Sequence, residues 1–456
     1  MKSVKLLNFE VNILLGALEL KIAVFEDELY SRFHPLILLR PVFDLRIGYK
    51  SILDRIKHFF NVNSCMLFVR DYLKKSVKEA HRSDSVNVKS NMFDEILFVN
   101  GRLIPNNTLK FFFNRKAESK NFVLLGPDKK SIILAKLNGN LLETFLDSSI
   151  RDVVSANLLS KFKGKVEFYV SNEKLLIENI WDLIVLNELF LKDDFDNFIG
   201  EGKCFGNIDP KVLIYGSKDD LYIGEDSVIE GNVTIDVREG PIYIGRNVEI
   251  NGPCRIEGPS HIGDDCKVLS GARIRKYSNI GSICRIGGEI ESSILHGFVN
   301  MYHPSFIGHS YVGEWVNIGA FTVTSDLKNT YGHVRVKIKD DLKDTGLIKL
   351  GSFIGDHVKT SINTSIFAGK LIGIFSHLFG YIFDNVPSFT IYAKSMGIGI
   401  FELDLESAIR TMKRVYSRRG RIVMEYEIEL VKYLYSWTCS ERKKFNVVKG
   451  RFKFPK

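Results

Sequence analysis

Residues 244–286 read IGRNVE-INGPCR-IEGPSH-IGDDCK-VLSGAR-IRKYSN-IGSICR-I, with Ile244, Ile250, Ile256, Ile262, Val268, Ile274, Ile280 and Ile286 standing six apart without a miss. A helical face repeats every 3.6 residues and a half-buried strand every two, so a sustained period of six belongs to neither. It marks the hexapeptide repeat of a parallel β-helix, in which stacked coils share one apolar core. Four residues after successive repeat residues stand Val248, Cys254, Ser260, Cys266, Ala272, Ser278 and Cys284, all small, as a narrow interior corner requires.

The rhythm runs outward from this stretch. Ile223, Ile229 and Ile235 are in phase, and a slip of three residues over Val237 to Pro241 predicts an outward loop. Beyond Ile286 the pattern blurs from Ile290 to Met301 and returns at Ile307, Val312 and Ile318. A polar insertion occupies Asp326 to Leu350, after which Ile354, Thr360, Ile366 and Ile372 resume the repeat. Such insertions map to loops on one face of a solenoid, often the binding face. Past Pro387, Leu403, Ala408, Met412 and Val415, with Val423, Ile428 and Leu434, predict one or two amphipathic helices. They read as a cap over the unpaired backbone and apolar edge of the solenoid end.

Upstream, from Lys21 to Phe198, apolar β-rich runs (Ile22–Phe25, Met66–Val69, Ile96–Val99, Phe122–Leu125) alternate with helical stretches at Ser51–Phe60 and Leu175–Leu189. That alternation predicts an α/β layer with a largely parallel sheet. A chain of 456 residues is expected to hold two or three domains. The predicted division is 21–198, 199–386 and 387–456. The short apolar run Val11–Leu18, between Glu10 and Glu19, is a poor signal peptide and far too short to span a membrane. A misassigned start upstream of a first strand at Lys21 is equally consistent with it.

A net charge of +9 allows nucleic acid, membrane surfaces or phosphorylated ligands as partners. The basic residues are densest at Arg410, Lys413, Arg414, Arg418, Arg419 and Arg421, and again at Arg442, Lys443 and Lys444. A solvated helix face is preferred to a specific anion site there. Interleaved aromatics are lacking, which argues against nucleic acid. Of six cysteines, Cys254, Cys266 and Cys284 fall on the small interior position of the repeat, where Cys acts as a compact hydrophobe. Without CxxC or a Cys/His pair at zinc spacing, no structural metal and a reducing, cytoplasmic compartment are expected.

A β-helix has flat faces and no deep pocket of its own, so polar residues beside the insertion are the place to seek chemistry. Asn300-Met-Tyr-His-Pro-Ser-Phe-Ile-Gly308 and Val312-Gly-Glu-Trp-Val-Asn-Ile-Gly-Ala320 stand immediately before it. His303 is the candidate general base, because a group titrating near neutrality is suited to take a proton from an amine or hydroxyl. The alternative is a corner histidine bonded to backbone.

The stretch from His303 to Ala320 resembles the acetyltransferase half of the bifunctional N-acetylglucosamine-1-phosphate uridylyltransferase/glucosamine-1-phosphate N-acetyltransferases. The resemblance implies a left-handed β-helix, usually of acyltransferase function, with His303 as general base, Asn317 binding the acceptor and the Ala320 backbone contacting acetyl-CoA. A tyrosine that binds the sugar phosphate corresponds to Phe306, so a hydroxyl is lost there and the acceptor is open to change. Ser325-Asp326-Leu327-Lys328 stands where the family has Asn-Tyr-Asp-Gly. Pro35-Leu-Ile-Leu-Leu-Arg-Pro-Val-Phe-Asp-Leu-Arg-Ile-Gly48, Asn100-Gly-Arg-Leu103, Gly313-Glu-Trp315, Asp344-Thr-Gly346 and Gly355-Asp-His357 together resemble a divergent subgroup of sugar nucleotidyltransferases of this type. The resemblance also implies a homotrimer, and Arg418 and Arg419 reaching the phosphates of CoA.

The N-terminal half departs further. Sugar-1-phosphate nucleotidyltransferases open with a Gly-rich loop that cradles phosphates, whereas Val24-Phe-Glu-Asp-Glu-Leu29 follows the first strand here. The Asp that holds their Mg²⁺ at a strand end is replaced by Asn100. Arg40, Arg46 and Arg102, with Asn100, are candidate substrate-binding residues, while the metal ligand is open among Asp27, Asp44 and Asp94.

Two readings follow. The first is an enzyme of sugar-nucleotide biosynthesis that moves acetyl from acetyl-CoA to an amino-sugar phosphate at the β-helix. Its N-terminal α/β domain would bind the sugar nucleotide or form it with UTP or another NTP and Mg²⁺. The second is a non-catalytic sugar-nucleotide-binding or scaffold protein with a degenerate nucleotidyltransferase domain. Neither needs nucleic acid or a membrane.

Overall fold

The computed structural model describes residues 21–450 and 452, apart from 90–93, 117, 118, 120 and 152. The apolar run Val11–Leu18 lies outside the described residues. The chain divides into two compact units, one built from residues up to 28, 53–74 and 78–176, the other from 29–52, 75–77 and 177 onward.

The first unit is a seven-stranded sheet in the order Ser85–Val86, Met66–Phe68, Lys21–Phe25, Glu95–Asn100, Ile132–Asn138, Phe122–Leu125, Glu167–Val170. The first four strands are parallel, and Ile132–Asn138 runs antiparallel to both its neighbours. Lys21–Phe25 and Glu95–Asn100 are buried on both faces beyond their first residue, which is why they read as unbroken apolar runs rather than alternating ones. Helix Gly139–Arg151 lays Leu142, Phe145 and Leu146 on this sheet, with the Phe145 ring 4.0 Å from that of Phe98.

The helix expected at 175–189 is found instead at Asp182–Phe198, within the second unit. The Asp182 carboxylate accepts from the backbone N–H groups of Glu178 and Asn179, each at 2.9 Å, closing a turn that delays the helix.

The second unit is a left-handed parallel β-helix with three faces. Face one runs through eight strands from Leu221–Ile223 to Leu371–Ile372, and face three through nine from Leu213–Tyr215 to Tyr381–Ile382. Face two runs through six strands from Asn207–Ile208 to Asn300–Met301 and continues across single-residue bridges at Asn317 into Lys359–Thr360, His377–Leu378 and Thr390–Ala393. In the regular part Ile262 pairs with Ile280, eighteen residues on, so one coil is three hexapeptides. Every repeat residue from Ile244 to Ile286 is fully buried in one continuous cluster. Burying each isoleucine contributes about 2 kcal/mol, and stacking adds these contributions coil by coil.

The breaks in the rhythm have distinct physical forms. Ile223 pairs with Ile244, twenty-one residues on, and the extra three residues lie in the predicted loop. Ile280 pairs with Leu295, only fifteen residues on, because Gly287 and Gly288 turn the corner without a loop. A Cβ on Gly287 would collide with the backbone oxygen of Tyr302, so that tight corner needs glycine. The polar insertion forms an antiparallel hairpin, Arg335–Ile338 with Asp341–Asp344, before Ile354 rejoins Val312 on face one.

After the last coil, Thr390–Ala393 and Gly399–Glu402 form a hairpin that extends face two. Helices Leu405–Ser417, Glu425–Trp437 and Cys439–Lys444 follow, the first capped by Asp404, which accepts from Ser407 N–H. Residues 29–52 form a strap along face one. The Tyr49 ring lies 4.9 Å from that of His261, Asn279 Nδ2 donates to Gly48 O, and Arg46 N–H donates to the Tyr311 hydroxyl.

Candidate active site

Outward-facing residues of face two form a ladder across successive coils. Arg285 registers with Asn300, Asn300 with Asn317, Asn317 with Lys359 and Lys359 with His377. Two rungs are joined side chain to side chain, Asn300 Nδ2 donating to Asn317 Oδ1 at 2.9 Å. The corner between faces two and three follows on the same coils. His303 is exposed there, one residue past Tyr302, whose ring meets it edge-on at 5.5 Å. Its coil rests on the Gly287–Gly288 corner.

Ala320 occupies the equivalent corner of the next coil, where its carbonyl accepts from Asn363 N–H at 2.8 Å. Phe306 lies just beyond the His303 corner, half-buried on face three in register with Val323. The structure thus brings His303, Phe306, Asn317 and Ala320 onto two adjacent coils. Beside them, His309 Nδ1 is 2.7 Å from Asp326 Oδ2 at the root of the insertion. Burial would raise the Asp326 carboxyl, but the His309 ring outweighs it and holds the group below the usual carboxylate range.

Arg419 reaches this ladder from the C-terminal helices. Its Nη2 donates to Asn300 Oδ1 at 3.3 Å, and its Nε is buried without a hydrogen-bond partner. Burial, with Arg285 and Arg418 nearby, lowers its hold on its proton. Arg418 is exposed, and Arg421 stands over the Phe298 ring at 4.6 Å.

An aromatic column that sequence reasoning missed fixes those arginines. Phe298, Trp315, His357, Phe375 and Phe389 all have positive φ, and neighbours along the column stack at 4.1, 6.4, 4.3 and 5.0 Å. Tyr416 lies against the wide step, 4.1 Å from Trp315 and 6.2 Å from His357. Each column residue stands three after an inward repeat residue (Leu295, Val312, Ile354, Ile372, Val386), at the position held earlier by Asn247 and Asp265. Asn and Asp tolerate the left-handed region, whereas a bulky residue costs about 1–2 kcal/mol there. Stacking offsets about 0.5–1.5 kcal/mol per pair. The run of aromatic rings at this offset from Phe298 onward, after Asn247, Asp265 and Ile283, is the sequence signal that would have revealed it.

Lys359 was also missed. It lies in a cleft between face two and helix Leu405–Ser417, lined with His357, Phe375, His377 and Met412. Its ammonium donates to Trp315 O at 2.6 Å, and burial pulls it down to about 7. Nothing local in the sequence marks it, because the helix that buries it lies far along the chain.

The N-terminal candidates separate into two places. Arg40 belongs to the strap, where its Nη1 is 2.9 Å from Asp356 Oδ1 and its Nη2 is 3.0 Å from Glu314 Oε2. Burial opposes its charge, but Asp356 and Glu314 outweigh that and keep it protonated. Arg46 also lies in the strap, its Nη2 donating to Tyr49 O at 3.1 Å. Asn100 and Arg102 lie in the first unit, where Arg102 Nε donates to Asp27 Oδ1 at 2.9 Å and Nη2 to Oδ2 at 2.5 Å. Asn100 Nδ2 donates to Asp27 Oδ2 at 2.9 Å and to Ile132 O at 2.8 Å.

These residues do not fit a divalent cation. Both oxygens of Asp27 accept from Arg102, and the adjacent Glu26 is paired with Arg70 at 3.0 Å. Asp94 is exposed just before the strand that ends in Asn100, and Asp44 belongs to the strap. Among the described residues no three His, Cys, Asp or Glu side chains are grouped to hold a metal ion.

Residues 22–202 match the sequence profile of the family described as sugar nucleotidyl transferase. A bifunctional sugar-1-phosphate nucleotidylyltransferase/acetyltransferase of Sulfurisphaera tokodaii is 35% identical over 91 residues, 20% of this chain and 23% of that protein. The bifunctional protein GlmU of Methanococcus vannielii is 25% identical over 370 residues, covering 72% of this chain and 80% of its own length. A solved Francisella novicida UDP-N-acetylglucosamine acyltransferase aligns at 13% identity and a TM-score of 0.29, over 55% of this chain and 92% of that one, too low a score to carry weight. The chain is thus similar to bifunctional sugar-1-phosphate nucleotidylyltransferase/acetyltransferases over part or most of their length, and its residues 22–202 match the sugar nucleotidyl transferase family model.

Proposed function

We propose that the protein acts in sugar-nucleotide biosynthesis by moving an acetyl group from acetyl-CoA to the amine of an amino-sugar phosphate on its β-helix. The observation that carries this is the pair of adjacent coils presenting His303 at a corner with Asn317 and Ala320 beside it. The amine attacks the thioester carbon; the new N–C bond forms as C–S breaks. His303 takes the amine proton, and the departing thiolate is protonated in turn. Asn317 orients the acceptor, Phe306 offers an apolar surface to the sugar, and the Ala320 backbone faces the acetyl-CoA. Arg418 and Arg419 would supply the cations that pair with its phosphates.

A homotrimer suits this reading. Phe321 and Ile362 at the two-three corner are 61% and 65% exposed, and Tyr381 and Phe383 extend an apolar strip along face three. Contiguous exposed apolar surface favours self-association. Product analysis after incubation with glucosamine-1-phosphate, acetyl-CoA, UTP and Mg²⁺ tests the proposal. Acetylated sugar phosphate supports it; its absence overturns it.

A second reading applies to the first unit alone. The closed Asp27–Arg102–Asn100 cluster favours a nucleotidyltransferase-like domain that binds a sugar nucleotide without turning it over. Formation of UDP-sugar in the same incubation would overturn that reading.

A further inference from the structure

The orientation of an asparagine amide is decided by its partners, and one of them here leaves no choice. A guanidinium has only donors, so the atom of Asn300 facing Arg419 Nη2 at 3.3 Å must be the carbonyl oxygen. The amide nitrogen of Asn300 is then the end that meets Asn317, at 2.9 Å, and the atom it meets must be Asn317 Oδ1. Asn317 therefore turns its NH₂ group away from Asn300, and that group donates to no described residue. Arg419 is held in turn by the aromatic column through Tyr416, three residues earlier, stacked 4.1 Å from Trp315.

We propose that Asn300, oriented by Arg419, is a positioning residue that sets the polarity of Asn317, so that the acceptor group bound at Asn317 is an oxygen, a sugar hydroxyl or phosphate oxygen, rather than the amine. This rests on the acetyl-transfer reading above and deepens it. With Asn317 donating to oxygen, the amine is left to His303. A site built to donate discriminates against an acceptor that offers only N–H, because once the acceptor covers the half-buried Asn317 the donor would lose water without gaining a partner. Arg419 thereby reports the docking of the C-terminal helices to the acceptor position, a role separate from any contact with CoA.

Asn300→Asp isolates the effect. A carboxylate only accepts, so the contact with Arg419 is kept and strengthened, while Asn317 must turn its NH₂ group inward and present oxygen to the acceptor. The expected result is a rise of about tenfold or more in KM for glucosamine-1-phosphate, with kcat and the KM for acetyl-CoA within about threefold and Tm unchanged. Asn317→Asp, which presents oxygen without disturbing Asn300, is expected to raise the same KM to a similar degree. A wild-type KM in Asn300→Asp overturns the relay while leaving the acetyl-transfer reading intact. An inactive wild-type protein overturns that reading and the relay with it.

Discussion

Tyr416 of the C-terminal helix stacks on Trp315 of the β-helix with ring centroids 4.1 Å apart and an interplanar angle of 19°. Trp315 closes the turn two residues before Asn317, and Tyr416 stands three before Arg419. One aromatic contact therefore lies close to both neighbours of Asn300, Asn317 on the ladder and Arg419 reaching it from the C-terminal segment. Replacing Tyr416 by Ala removes a side chain that is only 7% exposed and is expected to destabilise the second unit by about 3 kcal/mol, read from denaturant unfolding. Tyr416→Phe keeps the stack and loses only the bond from its hydroxyl to Glu427 Oε1 at 2.8 Å. It should cost about 1 kcal/mol.

Lys359 makes stability depend on pH in an unusual direction. Its folded value of about 7 lies below the ordinary lysine value of 10.5, so between these limits the unfolded chain binds the extra proton. Stability should therefore rise as pH increases from about 7 toward 10, by about 1–2 kcal/mol after allowing for partial solvent access. Lys359→Met should abolish that rise. Unfolding free energies at pH 7.5 and 9.5 for both proteins test it, and equal slopes would show that the ammonium is not desolvated.

In the first unit, Asp27→Ala removes the carboxylate to which the fully buried Arg102 guanidinium donates through Nε and Nη2. A loss of about 3–5 kcal/mol is expected. Because both oxygens of Asp27 already accept from Arg102 and Asn100, Mg²⁺ and EDTA should leave the thermal transition of the wild-type protein where it is. A shift on adding Mg²⁺ would contradict that assignment.

Gly287→Ala places a methyl group against the backbone of Tyr302, directly before His303. The expected outcome is a fold that persists, with acetyl transfer reduced about tenfold or more by displacement of the corner. Circular dichroism and initial rates measured on the same preparation separate the two effects.

How much of this was legible depends on sequence range. The isoleucine ladder from Ile244 to Ile286 was readable because each residue's burial is set by its own position in a six-residue period. His303, Asn317 and Ala320 came to light through their place beside the insertion and a family resemblance, and the coil geometry puts them on two adjacent coils. Arg40 carries no local mark of its partners, because Glu314 and Asp356 are reached only when the strap lies along face one. The aromatic column was readable in principle, from Phe298, Trp315, His357, Phe375 and Phe389 at one offset, but only once that offset is known to be a left-handed turn. The delayed helix at Asp182 illustrates the opposite case, since apolar periodicity continues through a turn that hydrogen bonds alone define.

The most direct test of the central claim is the rate at which acetyl-CoA is consumed with glucosamine-1-phosphate, compared between the wild-type protein and His303→Ala. The account predicts turnover by the wild type and a loss of about 10²–10⁴-fold in kcat for the variant, with its Tm unchanged. Undiminished transfer by His303→Ala, or none by the wild type, would contradict it.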